Sequence, residues 1–314
     1  MKVSIVIPTY NSATFLADTV RSVQAQTLTD WELFIIDGGS TDDTAAIAQS
    51  FSHADARITW HTRMGGVAIS RNYGAQLAKA DFVAFLDSDD RWLPARLATH
   101  VQHLEQHPNI GISYSRAEFI QVDGTPTGTV SNNRLNAVQP YHFLYVNPTI
   151  TMSNIVVRRQ IIATIPMNES LSYSEDLDWI FCVMVSGGWQ IAGIDQILLQ
   201  YRTNPNGLSS KLQQMESGWM QFIENARQQA PVLVEQHFAA AQAAQLKYLA
   251  RRALRLKCAP QISTDFMSRA LQSDWTLLFR EPKTLLLALV IYSLFLTKIW
   301  RPHHAKSIRH HSGL

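Results

Sequence analysis

Cysteine, signal-peptide features and acidic residues near the C-terminus are all scarce or missing in this sequence. The 314 residues include two cysteines, Cys182 and Cys258, and neither belongs to a C-x-x-C pair. A disulfide framework and a cysteine zinc site are therefore disfavoured, and a reducing compartment is favoured. The N-terminus has no long apolar segment followed by a small-residue cleavage site, so no signal peptide is predicted. No acid follows Glu281, which leaves a basic C-terminal tail.

Common nucleotide-binding signatures are missing too. No G-x-G-x-x-G follows the first predicted strand, and G-x-x-x-x-G-K-[ST] occurs nowhere, which disfavours dinucleotide-binding and P-loop proteins. The net charge of +2 is too small to indicate a nucleic-acid partner. With 46% hydrophobic residues, the chain supports a sizeable core. Its length favours one large domain with an appendage.

Apolar strands and amphipathic helices alternate along the first 115 residues. Strands are predicted at 3–7, 31–36, 58–60, 82–86 and 110–114, with helices between them. This alternation predicts an α/β fold whose parallel sheet is covered by helices on both faces. In such sheets ligands bind beyond the carboxyl ends of the strands. Three polar clusters fall there, at residues 8–11, 37–40 and 87–90.

The last of these clusters places Asp87, Asp89 and Asp90 directly after a buried strand. Crowded carboxylates repel one another, so this cluster indicates a divalent-metal site. A solvated turn with a helix cap is the plain alternative. A phosphatase with an aspartyl nucleophile also places D-x-D after a strand. Such enzymes usually continue with a small hydroxyl residue, whereas Asp90-Arg91-Trp92 stands here.

The ordered set of motifs resembles the family 2 inverting glycosyltransferases. The similar segments are VSIVIPTYN (3–11), FIIDGGSTD (34–42), SRNYG (70–74), DSDDRWLP (87–94) and SEDLDW (174–179). The resemblance covers about residues 1–210. It implies a GT-A fold and metal-dependent transfer, with Mg²⁺ or Mn²⁺, from a nucleotide sugar (a UDP-sugar) to a hydroxyl acceptor. The acceptor would be a saccharide or lipid-linked saccharide in surface-polysaccharide, O-antigen-like or glycolipid synthesis. A non-catalytic nucleotide-sugar-binding module is the alternative.

The resemblance also implies roles for individual residues on the donor side. Asp37 would accept from the base edge, and Arg71 would contact the base or diphosphate. Asp89 would bind the metal directly, and Asp87 would reach the ribose or the metal's water shell. Asp90 is left open between a supporting role and a helix N-cap. The full set of predicted donor-binding residues is Pro8, Thr9, Tyr10, Asn11, Asp37, Gly39, Ser40, Arg71, Asp87, Ser88 and Arg202. A helix cap for Asp37 and a surface salt bridge for Arg71 are the ordinary alternatives.

Inverting transfer needs a base that deprotonates the acceptor hydroxyl. The resemblance favours Asp176, with Glu175 as the second candidate, and both lie at a predicted helix N-terminus where negative charge is stabilised. Simple helix capping is the alternative for this pair. Arg202 opens a segment, 201–210, that resembles the family's closing loop over the donor diphosphate. A plain surface loop is the other interpretation of that segment.

The C-terminal hundred residues form a separate predicted unit. We expect a glycosyltransferase domain at 1–210, with a nucleotide-sugar half (1–115) and an acceptor half (116–210), and a helical region at 211–314. Its apolar segment, 284–300, falls short of the roughly 20 residues that a straightforward span needs. Nucleotide sugars are made in the cytoplasm, so we expect a cytoplasmic enzyme attached peripherally to the inner membrane. Packing of this segment on a partner and a homodimer are left open.

Overall fold

The computed structural model describes residues 1–204, 207 and 210–307. The chain divides into two units. The first consists of Met1–Phe143, Asn147–Asn204 and Gly218–Ala230, and the second of Leu144–Val146, Pro205–Ser217 and Pro231–Leu314. The chain leaves the first unit briefly at Leu144–Val146 and again at Pro205–Ser217, and it passes into the second unit for good at Pro231.

The first unit is built on one mixed sheet. In the described residues its strands are β1 (Val3–Thr9), β2 (Trp31–Asp37), β3 (Ile58–Thr62), β4 (Phe82–Phe85), β5 (Arg91–Trp92), β6 (Ile110–Ile120), β7 (Pro126–Val130), β8 (Val156–Arg158) and β9 (Gln190–Arg202). Their order is β3-β2-β1-β4-β8-β6-β9-β5, and β7 pairs with β6. Strands β3, β2, β1 and β4 are parallel, as the alternation predicts. Antiparallel pairings begin where β8 joins β4 and β6, and β6 and β9 pair in parallel again. The predicted α/β fold is therefore confirmed.

Helices cover the parallel part of the sheet on both faces. Those up to the unit boundary are α1 (Leu16–Gln24), α2 (Thr44–Ala54), α3 (Val67–Leu77), α4 (Arg96–Gln106), α5 (His142–Tyr145), α6 (Arg159–Thr164), α7 (Glu175–Gly187) and α8 (Leu212–Gln229). All seven residues of β1 are buried because its side chains alternate between two covered faces. Leu16 of α1 packs in one core cluster with Ile5. On the other face Gly74 of α3 lies so close to Val6 that any side chain there would collide.

The strand register brings the predicted polar clusters to one edge. Thr9 at the end of β1 pairs with Asp37 at the end of β2. Beyond β4, the backbone N–H of Leu86 donates to the carbonyl of Val6, and Asp87 follows directly. Parallel strands end on the same side of a sheet, and ligands bind there in open α/β folds. The clusters at 8–11, 37–40 and 87–90 therefore face one region.

The second unit is helical. It contains α9 (Pro231–Arg255), α10 (Pro260–Ser273), α11 (Leu277–Arg280) and α12 (Pro282–Ser307). Leu249, Phe266, Met267 and Ile291 belong to its buried core. The chain begins a new helix at Pro231, because proline suits the first turn but not the interior of a helix. In the part of the chain that the structure describes, no helix combines the length and apolarity needed to cross a membrane.

Candidate active site

The loops after β1 and β2 are joined by a dense hydrogen-bond network. Asp37 is buried, and its Oδ1 accepts from the backbone of Gly39 (3.3 Å) and Ser40 (3.0 Å) and from Ser40 Oγ (2.6 Å). Asn11 in turn donates its backbone N–H to Ser40 Oγ (2.9 Å) and accepts from Thr41 N with its Oδ1 (2.8 Å). Gly39 has φ +99°, a left-handed conformation that favours glycine. Four of the predicted donor residues thus form one rigid cradle.

Thr9 and Tyr10 lie beside this cradle and differ in exposure. Tyr10 is 62% exposed, so its ring is free to contact a base or sugar. Thr9 is buried, and its carbonyl accepts from Gly38 N (2.8 Å). Its hydroxyl Oγ1 is buried without a hydrogen-bond partner. A buried polar atom without a partner destabilises the fold, so Thr9 Oγ1 is a candidate for a hydrogen bond with a ligand.

Arg71 links the acidic motif to the downstream acids. It is 3% exposed, and its guanidinium donates to Asp87 Oδ1 (2.7 Å) and Glu175 Oε1 (2.8 Å). Burial alone would lower the pKa of Arg71, but the charges of Asp87 and Glu175 raise it overall. The guanidinium therefore stays charged and neutralises two carboxylates that stand 88 positions apart in the sequence. The structure places Arg71 between acids rather than at the surface.

The acidic motif divides into three environments. Asp87 accepts on both oxygens, from Arg71 and, at 3.0 Å, from Thr151 Oγ1. Ser88 shares a hydrogen bond of 2.7 Å with Ser12. Burial and the charge of Asp87 raise the pKa of Asp89 to about 6. Its own backbone N–H and the charge of Arg202 lower the pKa of Asp89 but do not offset this rise.

Asp90 lies behind the motif and away from solvent. It is 1% exposed, and its Oδ1 accepts from the backbone N–H of Arg202 (2.8 Å). Burial, followed by the charges of Asp89 and Asp87, raises its pKa well above the usual range. Helix α4 begins at Arg96, so Asp90 is not its N-cap. Of the two roles left open, the supporting one is the role that this geometry fits.

Asp176 begins the other side of the site. Ser174 adopts a left-handed conformation, and α7 starts at Glu175, as predicted. The Asp176 carboxylate accepts from Leu177 N at Oδ1 (2.8 Å) and from Asn147 Nδ2 at Oδ2 (2.7 Å). Burial and then the charge of Glu175 raise the pKa of Asp176 to about 7. Glu175 is held by Arg71, so the two adjacent acids have different environments.

Asn147 has its amide orientation fixed. Its Oδ1 accepts from the backbone N–H (2.9 Å) and the hydroxyl (2.7 Å) of Thr149. With the oxygen engaged on that side, the Nδ2 group must point to Asp176. A carboxylate that accepts a hydrogen bond is favoured in its charged form. Asn147 thus orients Asp176 and opposes the rise in its pKa.

Arg202 occupies a buried position at the end of β9. It is 3% exposed and donates to the carbonyls of Asp89 (2.7 Å) and Val122 (2.7 Å) and to Asp18 Oδ2 (2.7 Å). A contact with phosphate would require it to exchange these partners. The predicted closing loop 201–210 includes residues 205, 206, 208 and 209, which lie outside the described part of the chain.

Sequence reasoning missed the segment 147–154. Besides Asn147, this segment contains two residues that bind Asp87. Thr151 Oγ1 donates a hydrogen bond to Asp87 Oδ2, and Ser153 Oγ accepts from the backbone N–H of Asp87 at 2.9 Å. Asn154 is buried and accepts from the backbone and hydroxyl of Ser115. The signal was present in the sequence, as an alternating run of Asn, Thr and Ser before the strand β8. Nothing in such a run identifies which carboxylates it supports.

The fold and site define an α/β enzyme of the nucleotide-sugar-dependent class. The model of the family described as glycosyl transferase family 2 matches residues 4–165, so the chain belongs to that family. It is therefore a glycosyltransferase, as the ordered motifs predict. This finding removes the phosphatase alternative and favours transfer over a non-catalytic role.

Similar proteins include two bacterial glycosyltransferases. The chain is 28% identical over 228 residues to a protein of Bacillus subtilis named as a putative teichuronic acid biosynthesis glycosyltransferase, TuaG, covering 72% of this chain and 88% of that protein. It is 26% identical over 227 residues to WfgD of Escherichia coli, named UDP-Glc:alpha-D-GlcNAc-diphosphoundecaprenol beta-1,3-glucosyltransferase, covering 71% and 87%.

Two solved structures show the same fold at low sequence identity. Staphylococcus aureus TarS in complex with UDP-GlcNAc has a TM-score of 0.56 and 18% identity, covering 93% of this chain and 79% of that one. The mannosyltransferase PcManGT of Pyrobaculum calidifontis, in complex with GDP-Man and Mn²⁺, has a TM-score of 0.58 and 16% identity, covering 96% and 87%. Both likenesses confirm the GT-A architecture.

Proposed function

We propose that this protein is a metal-dependent inverting glycosyltransferase that moves a sugar from a UDP-sugar to a hydroxyl of a lipid-linked saccharide. The similarity to WfgD, whose name gives a UDP-sugar donor and a diphosphoundecaprenol-linked acceptor, supports both substrate classes. The name of the Bacillus relative supports a role in surface-polysaccharide synthesis. Because nucleotide sugars are made in the cytoplasm, we place the enzyme on the cytoplasmic face of the inner membrane.

The observation that carries this proposal is the different state of the two adjacent acids. Glu175 is paired with Arg71, whereas Asp176 accepts two hydrogen bonds and has a pKa of about 7. A base whose pKa lies near the working pH is the most effective acceptor of a proton. The structure thus favours Asp176 over Glu175 as the catalytic base.

The reaction needs only one such base on the acceptor side. Asp176 takes the proton of the acceptor hydroxyl while that oxygen forms a bond to the anomeric carbon. The bond between this carbon and the donor diphosphate oxygen breaks, and the electron pair leaves with the nucleotide. Attack on the face opposite the leaving group inverts the anomeric centre.

The donor set of the acidic motif fits a divalent cation. Asp87 and Asp89 offer carboxylate oxygens, which Mg²⁺ and Mn²⁺ prefer. Among the described residues no group of three His, Cys, Asp or Glu side chains could hold a metal ion by itself. Mg²⁺ sites usually combine one or two carboxylates with substrate phosphates. When bound, the cation would stabilise the charge that builds on the leaving nucleotide.

Screening nucleotide sugars for transfer, with and without Mn²⁺, tests the proposal. The enzyme should transfer sugar from one UDP-sugar, and a chelator should abolish that transfer. In the Asp176→Asn variant we expect transfer to fall roughly a hundred- to ten-thousandfold, while the dissociation constant of UDP stays nearly unchanged.

Asp178→Asn is the matched control. Asp178 lies on the same helical turn but accepts from Asn225, away from the base. This variant should retain transfer. Loss of UDP binding together with turnover in Asp176→Asn would contradict the assignment of the base, and transfer that is indifferent to chelators would contradict metal dependence.

A further inference from the structure

Helix α12 has two apolar faces, and only one of them is packed. Thr284, Ala288 and Ile291 are buried, and the latter two belong to the core of the C-terminal unit. Tyr292 anchors this inner face through a hydrogen bond of 2.8 Å to Ser268. A helix that is apolar all round is normally covered on all sides.

The opposite face of α12 is aliphatic and open to solvent. We call it the outer face of α12, and it consists of Leu285, Leu286, Leu289, Val290, Leu294 and Leu296. Leu286 is 65% exposed, Leu289 60% and Leu296 62%. Isolated exposed leucines are common, but a continuous helix face of this kind indicates a binding surface.

The charges around this face restrict what can cover it. Every charged residue of α12 is basic, namely Lys283, Lys298, Arg301 and Lys306. Two copies of the helix would therefore carry the same sign of net charge, which disfavours their pairing. A surface of anionic lipid headgroups would instead neutralise them, and its acyl chains would receive the leucines.

Exposed aromatic side chains precede the helix. Trp275 is 64% and Phe279 73% exposed, and their rings meet edge to face at 5.6 Å. Tryptophan is enriched where membranes meet water, since its ring is apolar and its N–H is polar. Within the described residues no helix qualifies as a membrane span. Helices with one apolar face and basic residues can bind in the plane of the membrane interface.

We propose that the outer face of α12 is a membrane-docking surface that binds bilayers containing anionic phospholipid. The inference deepens the proposed location of the enzyme at the membrane, since it names the element that makes the contact. It concerns lipid binding alone, so it can fail while sugar transfer is confirmed, and the reverse also holds.

Flotation of the full chain with lipid vesicles tests the proposal. We expect the protein to float with vesicles of phosphatidylcholine and phosphatidylglycerol and to float poorly with phosphatidylcholine alone. Leu286→Gln with Leu289→Gln should lower the partition coefficient about tenfold or more, because two aliphatic side chains that would insert into the bilayer are lost. Val232→Gln with Ile262→Gln is the matched control, since these exposed apolar residues lie on α9 and α10.

The outcomes separate the possible occupants of the face. Far-UV circular dichroism should be the same for both double variants, because all four residues are exposed. Equal loss of flotation in both variants, or no flotation of the wild type, would overturn the proposal. Light scattering in lipid-free buffer tests the other occupant. If the wild type is a dimer and only the Leu286 and Leu289 variant is a monomer, the face binds a second copy instead.

Discussion

Replacing Asn147 by alanine and Glu175 by glutamine should shift the pH profile of transfer in opposite directions. Asn147 Nδ2 donates to Asp176 Oδ2 at 2.7 Å, so its removal disfavours the charged carboxylate and raises the pKa of Asp176. Burial is the main cause of the raised pKa of Asp176, and the charge of Glu175 is the second. Neutralising Glu175 should therefore lower that pKa.

The size of the effect follows from the pKa of about 7 for Asp176. A base with that pKa is about one-eleventh ionised at pH 6 and about ten-elevenths ionised at pH 8, so kcat/KM of the wild type should rise roughly tenfold between them. In Asn147→Ala the rise should move to higher pH. In Glu175→Gln it should move to lower pH, and a glutamine oxygen still accepts from Arg71.

The assay is the initial rate of transfer from pH 5.5 to 9 in a constant-ionic-strength buffer at saturating metal. Thr149→Ser, which keeps both donors to Asn147 Oδ1, is the control and should follow the wild-type profile. Two results would refute the reasoning. Loss of all activity in Glu175→Gln would make Glu175 the base. If both variants shifted the pH profile in the same direction, the rise in kcat/KM would not report the ionisation of Asp176.

Two further predictions concern residues whose roles the structure redefines. Thr9→Val should keep or raise the free energy of unfolding in urea, because it removes a hydroxyl that is buried without a partner, yet weaken UDP binding about fivefold if that hydroxyl serves the donor; unchanged UDP binding by calorimetry would exclude this contact. Arg202→Met should lower the free energy of unfolding by about 3 kcal/mol, since it removes the buried donor to the carbonyls of Asp89 and Val122. Arg21→Met, at an exposed position, is the control and should have little effect. If Arg202→Met kept its stability but had a raised KM for the donor, the predicted contact of Arg202 with phosphate would be favoured instead.

The grouping of the polar clusters at one edge of the sheet could be predicted because strand ends and helix starts are local features. The run Val83-Ala84-Phe85-Leu86 must be buried, and Asp87 must follow it at the edge of the sheet. The start of α7 at Glu175 was equally predictable, since polar residues precede the helix and acids fill its first turn. Parallel pairing then aligns Thr9 with Asp37 without further information.

The pairing of the side chains could not be predicted in the same way. Arg71 and Glu175 are 104 positions apart, and their contact depends on how α3 and α7 are placed by the whole sheet. From the sequence alone, Arg71 could contact either a ligand or an acidic side chain, and nothing in the sequence distinguishes the two. The same holds for Arg202, which lies in a polar segment typical of a loop yet is buried against backbone carbonyls.

The charge of the site gives a physical reason why donor binding should require a cation. Arg71 neutralises Asp87 and Glu175 only in part, since one guanidinium faces two carboxylates. The raised pKa values of Asp89, about 6, and Asp176, about 7, show that negative charge is already disfavoured there. A nucleotide diphosphate would add further negative charge beside these acids, and repulsion between like charges in a partly buried site is strong. Under the proposed function, a divalent cation held by Asp89 would offset that repulsion without neutralising Asp176, which must remain free to accept the proton.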